Sequence, residues 1–136
     1  MQVTPYLFFN GNCQEALSFY HGIFGGKLHL MTYGEQIGPG CPLATKDKIM
    51  HGAVTVGDFL LMASDAFDAA PTKGTTVRLS LNCQSLEDIE RIYTKLVEGG
   101  VVCHALQDMP WGDRFGTLED KFGMEWMLNC SLKAKK

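Results

Sequence analysis

Two stretches of the chain carry apolar residues at the spacing of a helix that buries one face. In the first, Cys13, Ala16, Leu17, Tyr20 and Phe24 share a stripe, with Gln14, Ser18 and His21 opposite. Asn12 stands at the cap position, Glu15 three residues on completes a capping-box pattern, and Gly25-Gly26 ends the helix. His21 is expected in solvent. In the second stretch the stripe is Leu86, Ile89, Ile92, Tyr93 and Leu96. Ser85 is its cap, Glu87 and Asp88 suit the positive end of the helix dipole, and Gly99-Gly100 stops it.

A strand-like run precedes each helix (Val3 to Phe9; Thr76 to Cys83) and another follows it (Lys27 to Tyr33; Val101 to Leu106). Two more strands complete each half: His51 to Val56 with Phe59 to Ser64, and Arg114 to Glu119 with Met124 to Cys130. Gly57-Asp58 and the Asp120 to Gly123 segment are the tight turns between them. The order β-α-β-β-β thus occurs twice, with a period of about 70 residues. This predicts an α+β fold in one domain, 1–136, built of two modules, 1–66 and 75–132. Each half alone has too little apolar area to be stable, so the halves pack together or pair with another chain. The connections Gly34 to Lys48 and Asp65 to Thr75 carry prolines and glycines and are expected to be surface loops.

Composition narrows the function classes. With 136 residues the chain has no room for a second full catalytic domain, and 46% hydrophobic against 20% charged residues marks a globular protein. The net charge is -3, and the one basic cluster is Lys133, Lys135 and Lys136, so nucleic acid is not expected as a partner. No apolar run reaches the roughly 20 residues of a membrane span and no signal pattern opens the chain, which predicts a cytoplasmic protein with no membrane partner. The five cysteines, Cys13, Cys41, Cys83, Cys103 and Cys130, contain no C-x-x-C pair and read as reduced thiols.

Several segments carry a family resemblance. They are Pro5 to Gly26 with its F-Y-x-x-x-F-G-G run, His51 to Val54, Met62 to Asp65, Trp111 to Gly116, and Asp120 to Asn129 with D-K-F-G-x-x-W-M-x-N. Together they resemble the PhnB-like branch of the vicinal oxygen chelate superfamily, which includes glyoxalases and bleomycin-resistance proteins. The resemblance covers nearly the whole chain. It implies two β-α-β-β-β modules in a U-shaped mixed sheet, a cavity on the concave face, helices behind, and a homodimer. Some PhnB-like sequences bear a demethylubiquinone methyltransferase label, but no strand here is followed by the glycine-rich turn that would hold an adenosyl cofactor.

In metal-using members the ligands are His, Gln or Glu side chains on the first and last strands of each module. The matching positions here are Pro5, approximately Met62, Thr76 and Met127, none of which suits a hard cation. A slip of one residue brings in no better set, and a slip of two adds only Glu125. No metal and no other cofactor is therefore expected. His29 and His51, on neighbouring strands, leave open a different metal site, against which stands the reading of each as a hydrogen-bonded histidine. His104 is expected at a strand end.

Alternation assigns the remaining candidates. Val77, Leu79 and Leu81 form one face of the fifth strand and Thr76, Arg78, Ser80 and Asn82 the other, so Arg78 points into the concavity. A guanidinium there needs a counter-charge: either Glu125 in the last strand or an anionic ligand. Trp126 is expected in the core, and Leu7 and Phe9 are expected to join Met62 and Met127 in a mostly apolar cavity. Trp111, between two strands, either closes over a ligand or packs on a partner subunit. Asp113 and Arg114 are expected to pair with each other, and Cys41 lacks a close basic neighbour that would make it a nucleophile.

These residues predict a metal-free homodimer that binds a small organic molecule, with Arg78, Trp111, Glu125, Leu7, Phe9, Met62, Met127 and His51 lining the site. One alternative is a metal-dependent lyase, isomerase or dioxygenase using His51, His29 and Glu125. Another is a bleomycin-resistance-like drug-binding dimer, against which Arg78 argues by its charge.

Overall fold

The computed structural model describes residues 1–133, so Lys135 and Lys136 lie outside the described residues. The chain divides into two compact units, one from Met1 to Thr72 and one beginning at Lys73. In the first, the elements are β1 (Tyr6–Phe9), α1 (Cys13–Phe24), β2 (Lys27–Thr32), α2 (Tyr33–Ile37), β3 (Ile49–Val56) and β4 (Phe59–Asp65). In the second they are β5 (Leu79–Asn82), α3 (Leu86–Leu96), β6 (Val101–Asp108), β7 (Asp113–Glu119) and β8 (Glu125–Ser131). The fold is α+β. The sheets have orders β1-β4-β3-β2 and β5-β8-β7-β6, so the two units share one topology. In each, the first strand runs parallel to the last, and the other neighbours are antiparallel.

The second helix follows its local sequence closely. All five stripe residues of α3 are buried, and the Ser85 hydroxyl accepts the Asp88 N–H at 3.0 Å. The α1 stripe is also buried at Cys13, Ala16, Leu17 and Tyr20, but Ile23 takes the last buried position. Phe24 is half-buried against Phe59, their rings 4.5 Å apart. His21 is half-buried and bonds the Gly26 carbonyl, a change from its expected solvation. The predicted capping box of α1 is absent. Asn12 has φ -113° and ψ 23°, away from the extended conformation that aims a cap side chain at the helix, and makes no side-chain cap bond.

Asp65, from the end of β4, supplies that cap. One carboxylate oxygen accepts the Cys13 N–H and the other the Ile49 N–H, each at 2.9 Å, so a single buried side chain ties the start of α1 to the start of β3. The second unit has a comparable buried acid. Asp120 accepts the N–H groups of Phe122 (2.9 Å) and Met124 (3.0 Å) and the Trp126 indole N–H (2.9 Å), which shapes the turn into β8. Gly123 closes that turn at φ +86°, a conformation that disfavours a side chain.

Glycine also lets each helix reach its sheet. A Cβ on Gly52 would stand 2.5 Å from Leu17 Cδ1 of α1, and one on Gly116 would stand 2.9 Å from Tyr93 Cε2 of α3. These contacts define the helix-facing side of each sheet. The segment expected as a loop after Gly34 contains α2, opened by a true capping box: Thr32 Oγ1 accepts the Glu35 N–H and Glu35 Oε1 accepts the Thr32 N–H, both at 3.1 Å. Strands β1 and β5 are four residues each, shorter than predicted. Pro5 contributes its carbonyl to Met62 but has no N–H to extend the ladder. Among the described residues no helix is long and apolar enough to cross a membrane.

Candidate functional site

Cross-strand partners share a face, so the register assigns each candidate side chain that lies within a strand. In the first unit the face turned away from α1 carries the row Tyr6, Met62, Ala53 and His29, with Phe8 paired to Ser64 and Met31 to His51. The Tyr6 hydroxyl and His51 Nδ1 are 3.0 Å apart, and the Tyr6 ring lies 5.2 Å from that of Phe8.

Leu7 and Phe9 are not on this face, a correction to the expectation from alternation. Leu7 pairs with Ala63 and Phe9 with Asp65, both buried positions on the α1 side, and Phe9 is only 3% exposed. The cause is Asp65: its carboxylate must turn inward to reach Cys13 and Ile49, and its strand neighbour Phe9 turns with it. Tyr6 and Phe8 occupy the outer face instead. Periodicity had no means to find them, because all four β1 side chains are apolar or aromatic.

His29 and His51 share the outer face, yet His29 is opposite Ala53 and His51 opposite Met31, one step out of line. His51 already bonds Tyr6. Among the described residues, no group of three His, Cys, Asp or Glu side chains is placed to hold a metal ion. The rows hold Tyr6, Met62, Ala53 and His29 in one unit and Ser80, Met127, Thr117 and His104 in the other, one imidazole and no carboxylate in each, a set that does not fit the divalent ion used by chelating members of the superfamily.

In the second unit, Leu79, Leu81, Trp126, Leu128 and Leu118 share the side that Gly116 turns to α3. The other face carries Ser80, Met127, Thr117 and His104 in one row and Asn82, Asn129, Phe115 and Gln107 in the next. His104 lies within β6 and bonds Thr117 Oγ1 through Nδ1 at 2.8 Å, so it is not at a strand end. At the start of β8, Glu125 is opposite Glu119. Arg78 precedes β5 and is exposed, a correction to its expected place on the fifth strand's inner face; its Nη2 stands 3.7 Å from Glu125 Oε1, with side-chain exposures of 50% and 16%. Lys73 pairs with Glu119, and the carboxylate raises the lysine pKa. Among the described residues, Glu125 Oε2 is the one buried side-chain nitrogen or oxygen without a hydrogen-bond partner.

At the opposite end of this face is the β6–β7 turn, closed by the Gly112 N–H to the Met109 carbonyl at 3.0 Å. Trp111 on the turn is 63% exposed and meets Phe115 edge-on at 6.4 Å. Asp113 and Arg114 do not pair with each other. Adjacent strand residues point to opposite faces. Arg114 bonds Asp108, its cross-strand partner, at 2.7 Å and Glu90 at 3.0 Å, and Asp113 accepts from Asn129 at 3.3 Å. The Arg114 contact holds the Asp108 carboxyl below its ordinary pKa.

The thiols are all unpaired. Burial pushes the pKa values of Cys13 and Cys83 up to about 12, with Asp65 adding to the effect at Cys13 and Cys130 at Cys83. Cys41 lies in a surface cleft of about 410 Å³ with Glu35 and Lys46, its sulfur 3.6 Å from Thr45 Oγ1.

Two β-α-β-β-β units of identical sheet order, each with one helix-covered face, define a duplicated α+β protein of the glyoxalase type. The family model for the glyoxalase/bleomycin resistance protein/dioxygenase superfamily matches residues 2–128, and the chain belongs to that superfamily. It is 30% identical to Protein YjdN of Escherichia coli (strain K12) over 139 residues, with 95% of each chain covered. A crystal structure of a Pseudomonas aeruginosa protein is 44% identical, with 96% of this chain and 98% of that one covered and a TM-score of 0.85. A PhnB protein from Bacillus cereus is 27% identical, with 96% and 100% covered and a TM-score of 0.76. These relatives support the PhnB-like branch.

Proposed function

We propose that this chain binds a small organic molecule without a metal, acts as a homodimer, and uses the outer faces of its two sheets for recognition. The observation carrying this reading is that each sheet packs one face on its helix and keeps aromatic, thioether, amide and hydroxyl groups on the other: Tyr6, Phe8, His51 and Met62 in one unit, Phe115, Met127 and Asn129 in the other. Each face by itself suits a flat or aliphatic guest oriented by a few polar contacts. Exposed Val101 and Val102 on β6 support a second copy as partner, since large apolar side chains in solvent favour association.

The test is native mass spectrometry of the freshly purified protein with elemental analysis and sedimentation. The expected result is a dimer, less than a tenth of an equivalent of transition metal, and a retained or added organic guest. Stoichiometric zinc, nickel, iron or manganese, lost in His51→Ala, would overturn the reading in favour of a metalloenzyme.

A further inference from the structure

We propose that the outer face of the first unit takes a small organic anion, whose carboxylate is held over Ala53 by His29 and His51 and whose apolar body lies against Tyr6 and Phe8. This names a substrate class for the binding reading above and rests on it.

The register builds the anion end. Ala53 has His29 and Met62 as its cross-strand partners, and His51 and Thr55 are its same-face neighbours along β3. A methyl among four larger side chains leaves a dip, and Ala53 is only half-buried. His51 keeps a donor for that dip. With the Tyr6 O–H donating to Nδ1 at 3.0 Å, the imidazole hydrogen sits on Nε2, which has no partner among the described residues. His29 is exposed, and its ring makes no hydrogen bond or ion pair among the described residues. Two staggered imidazoles are too few for a metal ion, but they supply one N–H to each oxygen of a carboxylate.

Charge makes the choice. The strands of this face carry Lys27, in the row of Thr55 and Leu60, together with His29 and His51, and no carboxylate. The chain as a whole has a net charge of -3, so this face departs from the average. Two acids near it lie off its strands. Glu35 is in α2, where Thr32 first and then His29 hold its carboxyl below the ordinary pKa, and Asp68 follows β4. An ammonium head meets a lysine and no strand carboxylate, and an amide head gains only uncharged bonds.

The body follows from the strand order. Strand β4 separates β3 from β1, which puts Tyr6 about 10 Å from Ala53 across the sheet, with the Met62 thioether between them. Tyr6 and Phe8 are 37% and 54% exposed with their rings 5.2 Å apart, and a ring laid on them removes apolar surface from water.

The experiment titrates the full chain, with labelled methionine methyls, against 4-phenylbutyrate, 4-phenylbutanamide and 4-phenylbutylamine by NMR. The butyrate is expected to shift the Met62 methyl signal and to bind about fivefold tighter than the amide, with the amine weakest, because charge-assisted bonds exceed neutral ones. His29→Ala is expected to remove most of that preference, His29→Glu to turn it toward the amine, and Phe8→Ala to weaken all three probes. Equal or tighter binding of the amide or amine to the native protein overturns the inference, as does an unchanged preference in His29→Ala. Shifts confined to Met127 overturn it too, while leaving the small-molecule reading in place. No shift from any probe also overturns it, and the native mass spectrum then judges the broader reading by itself.

Discussion

The Asp65 carboxylate accepts the backbone N–H of Cys13 from 52 residues away at 2.9 Å, and its second oxygen accepts the Ile49 N–H. A helix start leaves several N–H groups without partners, and here a side chain from the far end of the module satisfies one of them. The same contact sets which face β1 shows to α1.

Asp65→Ala leaves both N–H groups buried without acceptors. At about 1–3 kcal/mol for each orphaned group, the variant is expected to lose about 2–6 kcal/mol in urea unfolding. Asp65→Asn, with one acceptor oxygen and one donor turned toward an N–H, is expected to fall between. A loss below about 1 kcal/mol in Asp65→Ala would show that the staple is dispensable.

The second unit offers an independent version. Trp126→Phe keeps the buried ring but removes the indole donor, leaving one Asp120 oxygen without that partner. The expected cost is about 1–3 kcal/mol, with the sheet retained by circular dichroism. A fully neutral substitution would contradict the role assigned to Asp120.

Gly52 and Gly116 are predicted to resist alanine. The added methyl meets Leu17 Cδ1 at 2.5 Å in one case and Leu106 Cδ2 and Tyr93 Cε2 at 2.9 Å in the other. Side-chain ends yield before backbone does, so each change is expected to cost about 1–3 kcal/mol of overpacking without unfolding the protein. Gly22→Ala, with nothing within 4 Å, serves as the control and is expected to be neutral or stabilising. Equal melting temperatures for all three variants would refute the close helix–sheet approach.

Thiol chemistry gives a pH-dependent prediction. Cys13 and Cys83 move from 9.0 to about 12 on folding, which lowers their thiolate population at pH 8 about a thousandfold. Iodoacetamide at pH 8 is therefore expected to modify exposed Cys103 first and to leave Cys13 and Cys83 intact until unfolding. The neutral thiol is the form favoured by the fold. Its stabilising contribution is present below pH 9, the unfolded value, and is lost as pH rises toward about 12. Stability that increased through that window because of these thiols would contradict the burial argument.

Legibility in the sequence followed how local each decision was. The α3 stripe and its Ser85 cap depend on residues within one helix, and both stand as read. The last strand alternates apolar and polar side chains, so burial of Trp126, Leu128 and Cys130 was legible as well. Asn12 illustrates the limit: a capping-box pattern was present, but the backbone turned elsewhere and Asp65 took the bond. Arg114 illustrates another, since its true partners, Asp108 and Glu90, become neighbours only when β7 lies against β6 and α3.

By itself, the sequence determined the doubled β-α-β-β-β order and most of the two helix stripes, because periodicity and turn glycines act over a few residues, and its motifs carried the resemblance to the superfamily. The side of β1 that meets α1, the burial of Asp65 and the pairing of Arg78 with Glu125 were decided only by the tertiary structure. Those outcomes depend on strand register, and a strand apolar on both faces carries no local signal for which neighbour it must match.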